Sequence, residues 1–157
     1  MAHEPEAGHD LDVIDRRIIH ELVNDGRISV RELAERVHIS RAHAYTRLDR
    51  LQHEGILGGF TIRIAHERAG LGASAYVGLS IDQGAWKRIS ARLRTLPFVE
   101  HFSLLGGDFD VLVLVRAPNN HILRDLVLDT LHTLEGVRST KTWLIYEEDN
   151  GPGPAWV

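Results

Sequence analysis

Residues 29–51 read SVRELAERVHISRAHAYTRLDRL, and their punctuation decides the first half of the fold. Ser29, with Glu32 three residues later, is a capping box in which hydroxyl and carboxylate each satisfy an orphan amide at a helix start. Val30, Leu33, Ala34 and Val37 then recur at helical spacing and turn inward. His38-Ile39 makes a tight turn, and Ser40 caps a further helix that ends near Glu54-Gly55. Upstream, Leu11, Ile14, Ile18, Ile19 and Leu22 form one apolar stripe, closed by Asp25-Gly26 with the glycine expected in the left-handed conformation. Three short capped helices with a tight second turn make residues 11–55 a helix-turn-helix unit.

Outward from that unit, residues 1–10 are polar and without periodicity, and read as a flexible tail. After Gly55 the period changes to two. Residues 56–64 (ILGGFTIRI) read as extended and Ala69-Gly70-Leu71-Gly72 as a hinge, so 56–72 is a linker. Beyond it the pattern predicts a strand at 73–81, a helix over 83–95 that Pro97 breaks, and strands at 98–105 and 109–116. A helix opened by Pro118-Asn119 follows, with the stripe Ile122, Leu123, Leu126, Thr130, Leu131 and Leu134; Gly136 ends it before a last strand at 137–146. The order β-α-β-β-α-β is a ferredoxin-like arrangement over residues 73–147, leaving 148–157 as a C-terminal tail. The strand 109–116 is apolar on both faces, Val111, Val113 and Val115 on one and Leu112 and Leu114 on the other. Both helices cover one face, so the other needs a partner; a homodimer through the sheet is the simplest solution, with cover by the tail or the first domain as the alternative.

The 157 residues are 43% hydrophobic and 25% charged, the composition of a globular chain. The longest aliphatic run, Val111–Val115, is far below the ~20 residues of a membrane span. No basic-then-apolar leader opens the sequence, and cysteine is absent, which excludes disulfides and thiolate metal sites; a cytoplasmic location with no membrane partner is expected. A net charge of −4 argues at first against nucleic acid. The distribution of that charge argues the other way: residues 26–64 carry seven arginines against four acids, and only local potential matters to a phosphate at ordinary salt.

Two places can carry chemistry. If Ala44, Leu48 and Leu51 of the third helix face the core, a 100° step gathers His43, Arg47 and Arg50 on one flank, with Thr46 beyond and Arg41 in the first turn on the other side. Guanidinium groups there reach guanine edges or phosphates, and His or Thr reads base edges; the plain alternative is a solvated polar face. The second place is the turn Gly106-Gly107-Asp108-Phe109-Asp110. Its glycines let backbone amides approach a carboxylate, and Asp108 can pair with an ammonium, which are the two ends of a free amino acid. The plain alternative is a hairpin using Gly and Asp for their conformations alone. Enzyme readings find little support. His-Glu pairs at 3–4, 20–21, 53–54 and 66–67 do not continue to a zinc motif, and there is no P-loop, nucleophile elbow or catalytic cysteine. No metal or cofactor is expected; His101, beside Phe102 on the second strand, reads as an ordinary sheet residue, with a buried acid or a metal ligand as the functional alternative.

These residues resemble a known family. Leu11-Asp12-x-x-Asp15-Arg16-x-Ile18, Asp25-Gly26-Arg27-Ile28-Ser29, Glu32-Leu33-Ala34-x-x-Val37, Ile39-Ser40 and Arg47-Leu48-x-Arg50-Leu51-x-x-Glu54-Gly55-Ile56-Leu57-x-Gly59-Phe60 are similar to the leucine-responsive/AsnC family of transcriptional regulators. Gly107-Asp108-Phe109-Asp110 resembles that family's Gly-Asp-Tyr-Asp turn, and Leu134-Glu135-Gly136-Val137 with Thr140 and Thr142 its final strand. The resemblance implies an α+β chain: an N-terminal (winged) helix-turn-helix domain that binds double-stranded DNA, then a ferredoxin-like domain that responds to a small effector, an amino acid. It also implies a homodimer assembling further, to an octamer in many members. Carried over by position, Ser40, His43, Thr46, Arg47 and Arg50 match the recognition helix, and Gly106, Gly107, Asp108, Asp110, Thr140 and Thr142 the effector region. Phe109 replaces a frequent Tyr, and Arg41-Ala42-His43 departs from the small residues or Pro common there. A tetrapyrrole (sirohaem-type) decarboxylase, similar in fold, is the rival reading, and a ligand-binding accessory protein without DNA activity a third.

Overall fold

The computed structural model describes residues 11–156; the expected flexible tail at 1–10 lies outside them. The chain divides into two compact units, one built on the residues up to Arg63 together with the segment from Asn150, the other on Ile64–Asp149.

The first unit holds α1 (Val13–Asn24), α2 (Val30–Arg36) and α3 (Arg41–His53) around Ile18, Leu33, Val37 and Leu51. The capping box sits on α1 and is made of two aspartates. The Asp15 N–H donates to Asp12 Oδ1 at 2.8 Å, and the Asp12 N–H donates back to Asp15 Oδ2 at 3.2 Å. At α2 only half of the expected box forms: the Glu32 N–H donates to Ser29 Oγ at 3.1 Å, while the Glu32 carboxylate accepts instead from Arg36 at 2.6 Å. A full guanidinium partner one turn on outcompetes a single backbone amide. Gly26 is not left-handed; α1 ends at Asp25 in an extended conformation, its N–H donating to Glu21 O and its carboxylate accepting from the Arg27 N–H at 2.9 Å. The turn before α3 is tight as expected, with His38 at φ 59°. Ile56 and Leu57 pack on this core, so the first domain runs past Gly55. Residues 58–64 carry no β-bridge, and no wing strand pairs among the described residues.

The second unit follows the expected order: β1 (Ala73–Ile81), α4 (Trp86–Leu93), β2 (Val99–Leu104), β3 (Val111–Ala117), α5 (Asn120–Asp125) and β4 (Val137–Ile145). All pairings are antiparallel and the sheet order is β2-β3-β1-β4. Residues 66–71, read as linker, belong here as a hydrogen-bonded turn in which the Leu71 N–H donates to His66 O at 2.9 Å. One face of β1 and β3 (Ala75, Val77, Leu79; Val111, Val113, Val115) packs with Ile89 and Leu93 of α4 and Leu123 of α5.

Beyond α5 the helix widens into a π-helical segment, Leu126–Leu131, with the His132 N–H donating to Val127 O five residues back. The wider turn brings Val127 into the core beside Leu126 and Leu131, where a continuous α-helix was expected to use Thr130. The segment ends at Leu131, short of the expected stop at Gly136; Gly136 lies in the turn before β4 at φ 94°, and a Cβ there would lie 2.7 Å from that of Ala85, so glycine is required twice over.

Candidate nucleic-acid interface and effector turn

Ser40 accepts the His43 N–H at 3.2 Å and fixes where α3 begins. From that start Ala44 and Leu51 are fully buried and Leu48 half-buried, as expected. The side of α3 away from the core is a ridge of Ala42, Tyr45, Thr46 and Asp49, all exposed. Arg41 and His43 are exposed beside it. Tyr45, 57% exposed, is the one large aromatic on the ridge, and sequence reasoning missed it.

Arg47 and Arg50 lie elsewhere. The flank that a 100° step assigns them is the flank facing α1. Nη1 of Arg47 donates to Asp12 Oδ2 at 2.6 Å and to Asp15 Oδ1 at 2.8 Å; Nη2 of Arg50 donates to Asp15 Oδ2 at 2.6 Å and its Nη1 to Glu54 at 3.1 Å. The Asp15 side chain is 1% exposed and that of Arg47 18%. Hydrogen bonds to Asp12 and Asp15 raise the Arg47 pKa above its ordinary value, and the bond to Asp15 raises that of Arg50. Asp12 is held below its ordinary value chiefly by the Asp15 backbone N–H, with the Arg47 guanidinium adding to it. The signal in the sequence is an acid, Asp15, lying within the apolar stripe of α1 at four residues from Leu11 and three from Ile18.

In the second unit the turn 106–110 folds over the sheet face that carries no helix. Phe109 lies on Gly78, where an added Cβ would come within 2.8 Å of its ring, and stands edge-on to Trp143 with centroids 5.3 Å apart. Lys141, level with Gly78 in the β1–β4 register, places its Nζ 5.4 Å from the Trp143 ring. Asp110 is anchored: its Oδ2 accepts the Ile81 N–H at 2.8 Å. Asp108 is exposed and makes no polar contact among the described residues. Gly106 and Gly107 have ordinary φ values, and a Cβ on either would meet nothing within 4 Å. Neither backbone conformation nor crowding among the described residues requires them to be glycine.

Thr140 and Thr142 are not brought to this turn. They sit level with Leu79 and Val77 on the helix-covered side of β4, and Thr140 Oγ1 lies 3.3 Å from His132 Nδ1. Side chains alternate along a strand, so the open-face partners of the turn are Lys141 and Trp143. The open face is also less apolar than its sequence suggested. Leu114 is already 8% exposed in the single chain, and Arg116, on the same face, is buried. Its Nε donates to Glu100 at 2.6 Å and its Nη1 to Ser74 at 3.1 Å, with Glu148 2.8 Å from Nη2. Burial opposes the Arg116 charge, but the bonds to Glu100 and Glu148 outweigh it and raise its pKa.

The sequence matches an AsnC-type helix-turn-helix domain over residues 11–52 and an Lrp/AsnC ligand binding domain over 74–150. The chain belongs to the Lrp/AsnC family of transcriptional regulators. The leucine-responsive regulatory protein of Salmonella typhimurium is 35% identical over 144 residues, covering 90% of this chain and 88% of that protein. Among solved structures, a transcriptional regulator of Neisseria meningitidis in complex with L-methionine superposes with TM-score 0.83 at 29% identity, covering 90% of this chain and 93% of that one. A feast or famine regulatory protein from M. tuberculosis complexed with L-methionine gives TM-score 0.84 at 31% identity, covering 92% and 97%.

These Lrp/AsnC matches lend no support to a tetrapyrrole decarboxylase, and His101 is exposed with its Nε2 3.0 Å from Ser103 Oγ. Among the described residues no group of three His, Asp or Glu can hold a metal ion, and no helix is long and apolar enough to cross a membrane.

Proposed function

We propose that this Lrp/AsnC regulator binds operator DNA through the exposed ridge of α3 and responds to a free amino acid held at the turn 106–110. The DNA reading rests on one observation: a Ser-capped helix presents Ala42, Tyr45 and Thr46 outward, with Arg41 in its first turn. Thr and Tyr hydroxyls read base edges, an Ala methyl fits a thymine methyl, and an arginine at the helix start meets the phosphate backbone. The effector reading is supported by a carboxylate, Asp108, without a polar partner among the described residues, beside two glycines that packing among those residues does not require. Such a turn admits the ammonium and carboxylate of an amino acid, as the methionine complexes of the relatives suggest. Lys141 is a cation on the same face for the carboxylate. The helix-free face of the sheet, with Tyr76, Leu112 and Trp143, is the surface through which two copies pair, presenting two recognition helices to half-sites about one helical turn apart. A cytoplasmic, non-enzymatic role and assembly beyond the dimer belong to the same reading.

Titration of the full chain against duplex DNA from its own upstream region tests this. Sequence-preferring affinity that falls steeply with salt supports it. Equal, weak affinity for scrambled and upstream duplexes refutes it. Light scattering is expected to return a dimer or a multiple of one, and a monodisperse monomer contradicts the pairing.

A further inference from the structure

The cations of α3 fall into two sets. Arg41 is exposed in the first turn, whereas Arg47 and Arg50 point back at α1 and share one buried carboxylate. We propose that Asp15, gripping Arg47 and Arg50, is the positioning residue of the recognition helix, and that these two arginines orient α3 rather than contact phosphate. The inference rests on the DNA-binding reading above.

The geometry supports it in three ways. First, one nitrogen of Arg47 already serves two carboxylates at 2.6 and 2.8 Å. Reaching a phosphate means leaving Asp15 charged and 1% exposed without that partner, a loss a solvated phosphate contact does not offset. Second, Arg47 and Arg50 are three residues apart on one helix and converge on the two oxygens of a single side chain. Two anchors on one flank add directional bonds that fix the rotation of α3 about its axis more sharply than the non-directional packing of Ala44, Leu48 and Leu51. A rotation by one residue, 100°, would carry Thr46 off the ridge. Third, Asp15 also accepts the Asp12 N–H while Asp12 accepts from Arg47, so the brace is tied to the first turn of α1 rather than to a mobile tip.

Salt-dependent DNA titrations of the full chain distinguish an orienting pair from phosphate contacts. Arg41→Gln is expected to flatten the slope of log affinity against log salt by about 0.9, the loss of one phosphate contact. Arg47→Gln is expected to weaken binding to the preferred duplex roughly tenfold or more while leaving the slope unchanged. Asp15→Asn removes a negative charge and by charge alone would tighten DNA binding; it is expected to weaken preferred-site binding as Arg47→Gln does. The double variant is expected to be no worse than either single. If a single variant loses helical circular dichroism, the apolar pair Asp15→Leu/Arg47→Met restores a folded unit and is expected to retain the full salt slope with reduced sequence preference. A slope flattened by about one in Arg47→Gln, together with unchanged or tighter binding in Asp15→Asn, would overturn the brace while leaving the regulator reading intact. An unaltered chain without salt-dependent DNA affinity would overturn that reading, and the brace with it.

Discussion

Among the described residues seven apolar side chains are buried in the helical unit, Ile18, Ile19, Leu33, Ala34, Val37, Ala44 and Leu51; in the sheet unit seventeen are, from Ala73 to Leu131. The two units treat their charges accordingly. In the helical unit Asp15 is sealed between Arg47 and Arg50, and Arg36 ties α2 to Glu21 of α1 at 2.8 Å. In the sheet unit Asp108 has no polar partner among the described residues, at a turn whose neighbours are already fixed by the strand ladder and by Phe109 on Gly78. A small core supplies little orientation, so directional ion pairs supply it. The larger core buries an ion-paired cation of its own, Arg116 with Glu100 and Glu148, but the turn carrying Asp108 is held by the ladder and by Phe109 and not through that carboxylate.

The contrast is broken most severely by removing the buried acid. Asp15→Ala is expected to destabilise the helical unit by about 3–5 kcal/mol, because two guanidinium groups lose a buried partner. Urea denaturation followed by helical circular dichroism should show that loss, while in a Trp156→Phe background the fluorescence of Trp86 and Trp143 reports an unmoved transition in the sheet unit. A loss below about 1 kcal/mol would mean the small apolar core suffices alone.

Next in size is Gly78→Val, which puts side-chain atoms where the Phe109 ring lies. It is expected to cost about 1–3 kcal/mol, to shift Trp143 emission, and to weaken any effector response by displacing the turn. Unchanged Trp143 emission would show that the turn does not rest on the sheet.

A smaller contrast separates the two aspartates of the turn. Asp110→Ala is expected to cost about 1 kcal/mol by orphaning the Ile81 N–H. Asp108→Ala is expected to leave stability within about 0.5 kcal/mol, yet to abolish effector binding by calorimetry. Equal stability losses for both would make Asp108 a structural residue.

Acid gives the smallest effect. Asp12 is held below its ordinary 3.8, so its contribution is complete above that pH and fades as pH falls through the lowered value. Its carboxylate is half exposed, which keeps the contribution small. The difference in denaturation midpoint between the unaltered chain and Asp12→Asn is therefore expected near pH 6 and to shrink towards pH 2. A constant difference would contradict the linkage.

Most of the fold is legible because it is written in periods and caps. The alternation of β1, the continuous apolar run of β3, the Ser40 cap and the left-handed Gly136 before β4 each leave a local mark. What spacing misplaces depends on partners distant in the chain. The 100° step places Arg47 and Arg50 on one flank, but only packing reveals that this flank faces Asp15, more than thirty residues away. Thr140 and Thr142 match by position, yet strand parity directs them to the helices and Lys141 and Trp143 to the turn. The π-helical widening at Leu126–Leu131 leaves no mark in spacing alone.

The central claim is that one chain couples DNA binding to an amino acid through Asp108. The direct test is fluorescence anisotropy of the full chain on its own upstream duplex, titrated with each of the twenty amino acids, in parallel with Asp108→Ala. The account predicts that at least one amino acid shifts the DNA-binding curve of the unaltered chain, while Asp108→Ala binds the duplex normally and ignores every one. An equal shift in both proteins, or none in the unaltered chain, would contradict it.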